Sequence, residues 1–356
     1  MRIALDATYS LGNELSGVGV YCREMLYGLA AAHPEARFDW RYRAHRLGRS
    51  WSERIPSNCR RKLLADWPFT GSADLYHGLN QRLPRTRLRC AVATFHDLFV
   101  LTGEYSTPDF RRRFAEQARH AAMAADGIIA VSDFTARQVT DLLGISRDRI
   151  RVVPHGTRPP ATVRPVEERE PMILHVGAIQ KRKNLVRLVD AFAAVGSQWR
   201  LVLAGAAGYG AESIFERIAE SSCRERISVA GYVPLAELES LYQRASVLAY
   251  PSLDEGFGIP ILEAMGAGLP VVTSNCSAMP EVAGRAALFV DPGQTEDLAL
   301  ALVRLTSDLD LRRHLAELGQ DRAREFPWDR AVTETWNAYS GLLNGSCGED
   351  SPGTAR

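Results

Sequence analysis

Two glutamates, Glu255 and Glu263, stand eight positions apart around the thin stretch "GFGIPIL". Carboxylates accept well from the two hydroxyls of a vicinal diol such as a ribose. Gly256 and Gly258 let a ligand approach the backbone closely. The preceding "SVLAYPS" reads as a buried strand, "LDEGFG" as the loop at its carboxyl end, and Pro260 as the opening of a helix. The first N–H groups of such a helix lack internal partners and, with the helix dipole, suit an anionic or hydroxyl-rich ligand. Glu263 is expected in the first helical turn. Glu255, on the loop, suits sugar hydroxyls or a developing positive charge. From these residues alone, a dipole-complementing Glu263 and a solvated loop acid at Glu255 stay open as alternatives.

A basic knot follows an earlier strand in "ILHVGAIQKRKNLVRLVDAF". Asn184 is expected to cap a helix whose buried face is Leu185, Leu188, Val189 and Phe192. Arg182 and Lys183 then fall at a helix start, where fixed cations are poorly placed for the dipole. An anion there would explain them, a diphosphate being the natural one; two solvated basic residues are the plainer reading. In the first half, Gly17 and Gly19 of "SGVGVYCREML" follow a strand and open a helix, so their backbone can meet a phosphate or an acceptor. The dinucleotide pattern is incomplete because its third glycine is replaced by Cys22, which disfavours a dehydrogenase. His96 and Asp97 end the strand of "TFHDL", and His77 and Asn80 end that of "DLYHGLN". Two such histidines at adjacent strand ends suggest a polar site; His155 reads as structural. No acid pair suited to a metal appears, and "DLD" at 308–310 reads as peripheral helix.

The elements that must position these groups alternate strand with helix through 356 residues, 46% of them hydrophobic. Candidate strands are "RIALDA", "DLYHG", "CAVATFHD" and "GIIAVS", then "MILHVGA", "RLVLAGA", "ISVAGYV", "VLAYPS", "PVVTSN" and "AALFVD". Helices are expected over residues 18–32 and 108–124. The fold class is α/β, with two doubly wound Rossmann-like domains facing a central cleft. The divisions are residues 1–157, a Pro-rich charged linker 158–170, residues 171–325, and a flexible tail 345–356. Residues 1–160 carry 24 Lys and Arg against 16 Asp and Glu, and the remainder 19 against 26. The basic half could meet an anionic membrane or an anionic acceptor; without aromatic-interleaved motifs it does not point to nucleic acid. The six cysteines lack metal or disulfide spacing and read as reduced thiols. Neither a signal peptide nor a spanning segment is recognised, so a cytoplasmic location, with peripheral contact at the inner membrane face, is expected.

These motifs resemble those of the retaining family 4 glycosyltransferases, which have the GT-B fold. The likeness rests on "EGFGIPILE", "GAIQKRKN", "AVSDFTARQVTDLLGI" through "IRVVPHGT", "GYVPLAELESLYQRASVLAYPS", "EAMGAGLPVVTSNCSAMPEV" and "TFHDL", and reaches to about residue 343. It implies that Glu263 binds the ribose of a nucleotide-sugar. Glu255 would face the donor sugar beside the backbone of Gly256, Phe257, Gly258 and Ile259. Arg182 and Lys183 would hold the diphosphate, Gly17 and Gly19 would approach from the other domain, and His96 would sit at the reacting centre. Tyr232 and Val233 would lie near the base, with His77, Asn80 and Asp97 on the acceptor side. The helix at about 326–343 would pack back on the first domain. Many members carry an arginine where Ala178 stands; either Arg182 supplies that charge or diphosphate binding is weaker. The "RKN" pattern resembles bacterial mannosyltransferases of surface-polysaccharide assembly, implying GDP-mannose as donor, a glycan or lipid-linked acceptor, and no metal or other cofactor. A nucleotide-sugar epimerase, a sugar phosphorylase and a non-catalytic nucleotide-sugar-binding protein are the alternatives.

Overall fold

The computed structural model describes residues 1–12, 15–64, 73–86 and 88–345, so nearly all of the expected tail lies outside the described residues. The chain divides into two compact units. Met1–Leu98, Arg112–His155 and the segment from Trp328 onward form the first; Phe99–Arg111 and Gly156–Pro327 form the second.

Among the described residues the first unit has one parallel sheet. Its strands are β1 (Arg2–Asp6), β2 (Arg37–Tyr42), β3 (Cys59–Leu63), β4 (Leu75–Gly78), β5 (Ala91–Phe95), β6 (Gly127–Ala130) and β7 (Ile150–Val152), in the spatial order β3-β2-β1-β4-β5-β6-β7. The second unit's sheet holds β8 (Met172–Val176), β9 (Arg200–Ala204), β10 (Ile227–Gly231), β11 (Val247–Tyr250), β12 (Val271–Ser274) and β13 (Ala287–Val290), ordered β10-β9-β8-β11-β12-β13. Short apolar runs such as "RIALD" and "MILHV" form the inner strands, where nearly every side chain is buried, whereas the edge strands β3 and β10 are mostly exposed or half-buried. In each sheet the order reverses once, between β1 and β4 and between β8 and β11. Such reversals open a crevice beyond the carboxyl ends of the strands, where ligands bind.

The helices Gly17–Ala32 and Pro108–Ala124 form where apolar periodicity predicts them. Ser16 caps the former, its Oγ accepting the Gly19 N–H at 3.3 Å. The final helix, Trp328–Gly345, belongs to the first unit and packs on Gly17–Ala32. A Cβ at Gly28 would lie 2.5 Å from Val332 Cγ2, so the helices meet where one has no side chain. Tyr339, fully buried, shares a 2.6 Å hydrogen bond with His77 Nδ1, and His77 Nε2 lies 2.8 Å from Thr94 Oγ1. Burying each large side chain of this helix is worth about 1.5–3 kcal/mol.

Three features differ from the sequence reading. β2 and β3 are strands although "RFDWRY" and "CRRKL" carry charges; Asp39 and Arg41 are buried within β2. Asn184 does not cap with its side chain. It is left-handed (φ 59°) after a 3-10 turn over Lys181–Lys183, and its Nδ2 donates to Pro292 O at 2.8 Å. Phe99–Arg111 packs within the second unit, where Thr102 Oγ1 donates to Asp254 Oδ2 at 2.8 Å. No helix among the described residues is long and apolar enough to cross a membrane.

Candidate active site

β8 and β11 are hydrogen-bonded neighbours on either side of the reversal in the second sheet. After β8 the backbone turns at Gly177 (φ 141°) and reaches the Lys181–Lys183 turn. After β11 it runs through Asp254 and Glu255 to Gly258 (φ 99°) and the helix Ile259–Gly266. Only glycine adopts these two conformations without strain, so both loops are shaped for the crevice they overhang.

Here the chain closes Glu255 onto both cations. Glu255 Oε2 pairs with Arg182 Nη1 at 2.7 Å, and Oε1 pairs with Lys183 Nζ. All three side chains are buried. Burial pushes the Glu255 carboxyl up, but Arg182 and Lys183 outweigh it and hold its pKa at about 2. Arg182 also donates to the Asp254 carbonyl, and its guanidinium carbon lies 4.2 Å from the centroid of the Phe99 ring. Lys183 Nζ donates to Tyr250 Oη at 2.6 Å. Beneath it, His175 is fully buried, and its Nδ1–H donates to the Ala249 carbonyl at 3.0 Å. Burial first, and then the Lys183 charge, lower the His175 pKa to about 4, so this ring is neutral. Sequence reasoning missed Tyr250, His175 and Phe99; the position of Tyr250 at the end of a strand was the available signal.

Glu263, the fifth residue of its helix, lies just past the first turn rather than within it. That position weakens a purely dipole-complementing role. Tyr242, another residue the sequence reading passed over, donates to Glu263 Oε2 at 2.8 Å. Burial raises the Glu263 pKa. Phe257 is buried with its ring edge-on to Phe326, while Ile259 is half-buried. Tyr232 is exposed and Val233 buried just beyond β10, which is separated from β8 by β9. The structure therefore brings together Arg182, Lys183 and Glu255, and places Tyr232 and Val233 along a strand further out.

The first-unit residues behave differently. His77 is fully buried with both nitrogens engaged by Tyr339 and Thr94, so its place is internal and it is not available to an acceptor. Burial lowers its pKa to about 3. His96 Nε2–H donates to the Leu79 carbonyl at 2.9 Å, and Nδ1 lies 3.3 Å from His155 Nε2, with the two rings stacked. Burial lowers the His96 pKa to about 4. A base role would have to break one of these contacts. The Gly19 N–H is already taken by Ser16, and a Cβ there would come within 2.9 Å of the Tyr9 carbonyl, whereas Gly17 is exposed. Asn80 and Asp97 are half-buried at the ends of β4 and β5.

The description "Glycosyl transferases group 1" matches residues 162–322, and "Glycosyltransferase Family 4" matches residues 15–159. O-antigen chain mannosyltransferase B of Escherichia coli is 34% identical over 281 residues, covering 74% of this chain and 74% of that protein. D-inositol 3-phosphate glycosyltransferase of Nocardia farcinica is 31% identical over 240 residues, which cover 62% of this chain and 53% of that protein. Sucrose-phosphate synthase from Thermosynechococcus elongatus shares the fold with a TM-score of 0.79 at 21% identity, over 97% of this chain and 100% of that one. With its two parallel-sheet Rossmann-like units and these relatives, the chain belongs to the family 4 type of glycosyltransferases with the GT-B fold.

Proposed function

We propose that this glycosyltransferase moves mannose from GDP-mannose, with retention, to a glycan or lipid-linked acceptor during cell-surface polysaccharide synthesis. The observation that carries the reading is the buried cluster of Arg182, Lys183 and Glu255 at the reversal of the second sheet. The mannosyltransferase relative supports the sugar and the pathway class. In the reaction the bond from the anomeric carbon to the diphosphate breaks, and its electron pair leaves with the diphosphate. Arg182 and Lys183 stabilise that charge without calling on a metal. The acceptor oxygen bonds the same face of the anomeric carbon, and its proton passes to the departing phosphate oxygen. Glu255 and nearby backbone face the cation-like sugar. Glu263, oriented by Tyr242, takes the ribose hydroxyls, and the backbone of Gly256, Phe257, Gly258 and Ile259 lies alongside the donor. Tyr232 and Val233 flank the base, Gly17 backs the phosphates or sugar, and neutral His96 orients the sugar or acceptor. A lipid-linked acceptor would bring the basic first unit to the inner, anionic face of the membrane.

The test is a thermal-shift panel of GDP, UDP, ADP and dTDP sugars without added metal. GDP-mannose should protect the protein, and Glu263→Ala should abolish the protection. Protection by UDP or dTDP sugars alone would overturn the donor assignment, and product of inverted anomeric configuration would overturn retention.

A further inference from the structure

A polar cavity lies in the first unit, at the reversal between β1 and β4. It has a volume of about 60 Å³ and is lined by Asp6, Arg43, Tyr76 and Arg82, with Leu83 and Pro84 as an apolar wall. Asp6 is the last residue of β1, Arg43 follows β2 directly, and Arg82 lies just past β4. A single water needs about 10–15 Å³ measured this way, so the space suits a small polyatomic group.

Among the described residues, the lining holds guanidinium N–H donors that no protein acceptor takes up. The Nε atoms of Arg43 and Arg82 are buried and have no hydrogen-bond partner. Arg41, buried in β2, holds its guanidinium carbon 5.9 Å from the centroid of the Tyr76 ring, and its Nε is likewise without a partner. Asp6 is the carboxylate facing Arg43 and Arg82, and its Oδ1 already accepts the Thr8 N–H at 3.0 Å. Asp39, in β2 and outside the lining, forms an ion pair with Lys62 at 2.8 Å. Buried charged donors without acceptors mark where a ligand's acceptor atoms belong. The loop carrying Arg82 is also preformed. Its N–H donates to the Asn80 carbonyl at 2.6 Å, and a Cβ at Gly78 would lie 2.1 Å from the Arg82 carbonyl oxygen. Arg82 further stacks its guanidinium 6.0 Å from the centroid of the Tyr9 ring.

We propose that this cavity is an anion subsite for the acceptor: Arg43 and Arg82 grip a phosphoryl or carboxylate group, and Asp6 accepts from a hydroxyl beside it. Naming the ligand as acceptor rests on the reading of the second unit as the donor site. The enzyme is thereby selective for acceptors that carry an oxyanion next to a sugar hydroxyl, and discriminates against neutral glycans.

The experiment is calorimetric titration of the full chain with mannose 1-phosphate, glucuronate, inorganic phosphate and methyl mannoside. Each titration is run with the nucleoside diphosphate that protects the protein in thermal melts held at saturation, and again without it. Mannose 1-phosphate and glucuronate should bind at least tenfold tighter than methyl mannoside. Arg43→Gln and Arg82→Gln should each weaken anion binding at least tenfold and leave nucleotide protection intact. Asp6→Asn should retain inorganic phosphate but erase the advantage of mannose 1-phosphate over it. If a Gln variant melts early, Arg43→Lys and Arg82→Lys replace it; they keep the charge but lose the two-pronged grip, and a smaller loss is expected. Unchanged anion affinity in the arginine variants would overturn the proposal. So would no anion binding at millimolar concentration, or binding that nucleotide abolishes, which would put the anion in the second unit. If no nucleotide protects the protein, the donor reading fails, while the arginine variants still test the subsite.

Discussion

Glu255 answers to two demands that a double-mutant cycle can separate. Its carboxylate neutralises Arg182 and Lys183 in a buried place, so removing it leaves two buried like charges without their shared counter-charge. Breaking a buried pair from one side costs about 3–5 kcal/mol. Glu255→Ala should therefore lower the urea midpoint strongly, Lys183→Ala less, and the double variant by less than the sum of the two. Turnover, by contrast, should fall by orders of magnitude in all three. Additive stability losses would show that the pairing contributes nothing to folding, and near-normal turnover in the double variant would remove these residues from catalysis. The sequence pointed to this cluster because loop position and residue type marked both halves of it. It did not reveal that the carboxylate spans both cations, which depends on two strands becoming neighbours. The Asp6 cavity was illegible for a related reason: Asp6, Arg43, Tyr76 and Arg82 come from four segments, and Arg43 read as part of a basic surface.

At the scale of elements, the helix Ile259–Gly266 depends on the turn that launches it. Gly258 sits at φ 99°, and a Cβ there would approach Ile261 Cδ1 to 3.1 Å. Holding a side chain in such a region costs on the order of 1–3 kcal/mol. Gly258→Ala should destabilise the protein by about that much and weaken nucleotide binding through displacement of Glu263; wild-type values for both would mean the turn relaxes freely. Helices with clean apolar periodicity were readable to within a residue or so, as Gly17–Ala32 and Pro108–Ala124 illustrate. β2 was not, because strand signals assume that charge means solvent, and here Asp39 and Arg41 are buried within the strand, Asp39 paired with Lys62 and Arg41 set over the Tyr76 ring.

The whole molecule should lose stability in acid in two stages. His77, His96, His155 and His175 are buried and held neutral, their pKa values lowered from 6.5 chiefly by burial. Below about pH 6.5 the unfolded chain takes up protons that the folded chain refuses. Stability is thus full above that pH and falls towards pH 4, at up to about 1.4 kcal/mol per pH unit per histidine. Glu255, with its pKa held down at about 2, adds a further loss as pH drops from 4.5. Urea midpoints measured from pH 7.5 to 2.5 check both stages; a flat profile between pH 7 and 4.5 would show that these histidines are not neutral in the fold.

The final helix is the last described part of the chain, yet Gly28, Met25 and His77 of the first unit are completed by it. All of residues 156–327 must be synthesised in between. At about 5–20 residues per second that interval is on the order of ten to thirty seconds. During it the emerging first unit has an unfilled groove where Val332 and Tyr339 will sit. A chain released at His155 should therefore aggregate, and a separate peptide of residues 326–345 should restore its solubility; a soluble, cooperatively melting fragment without the peptide would refute this. Nascent molecules are exposed during this interval, so a holdase would act on the first unit, and its need should grow when translation of the second is slowed.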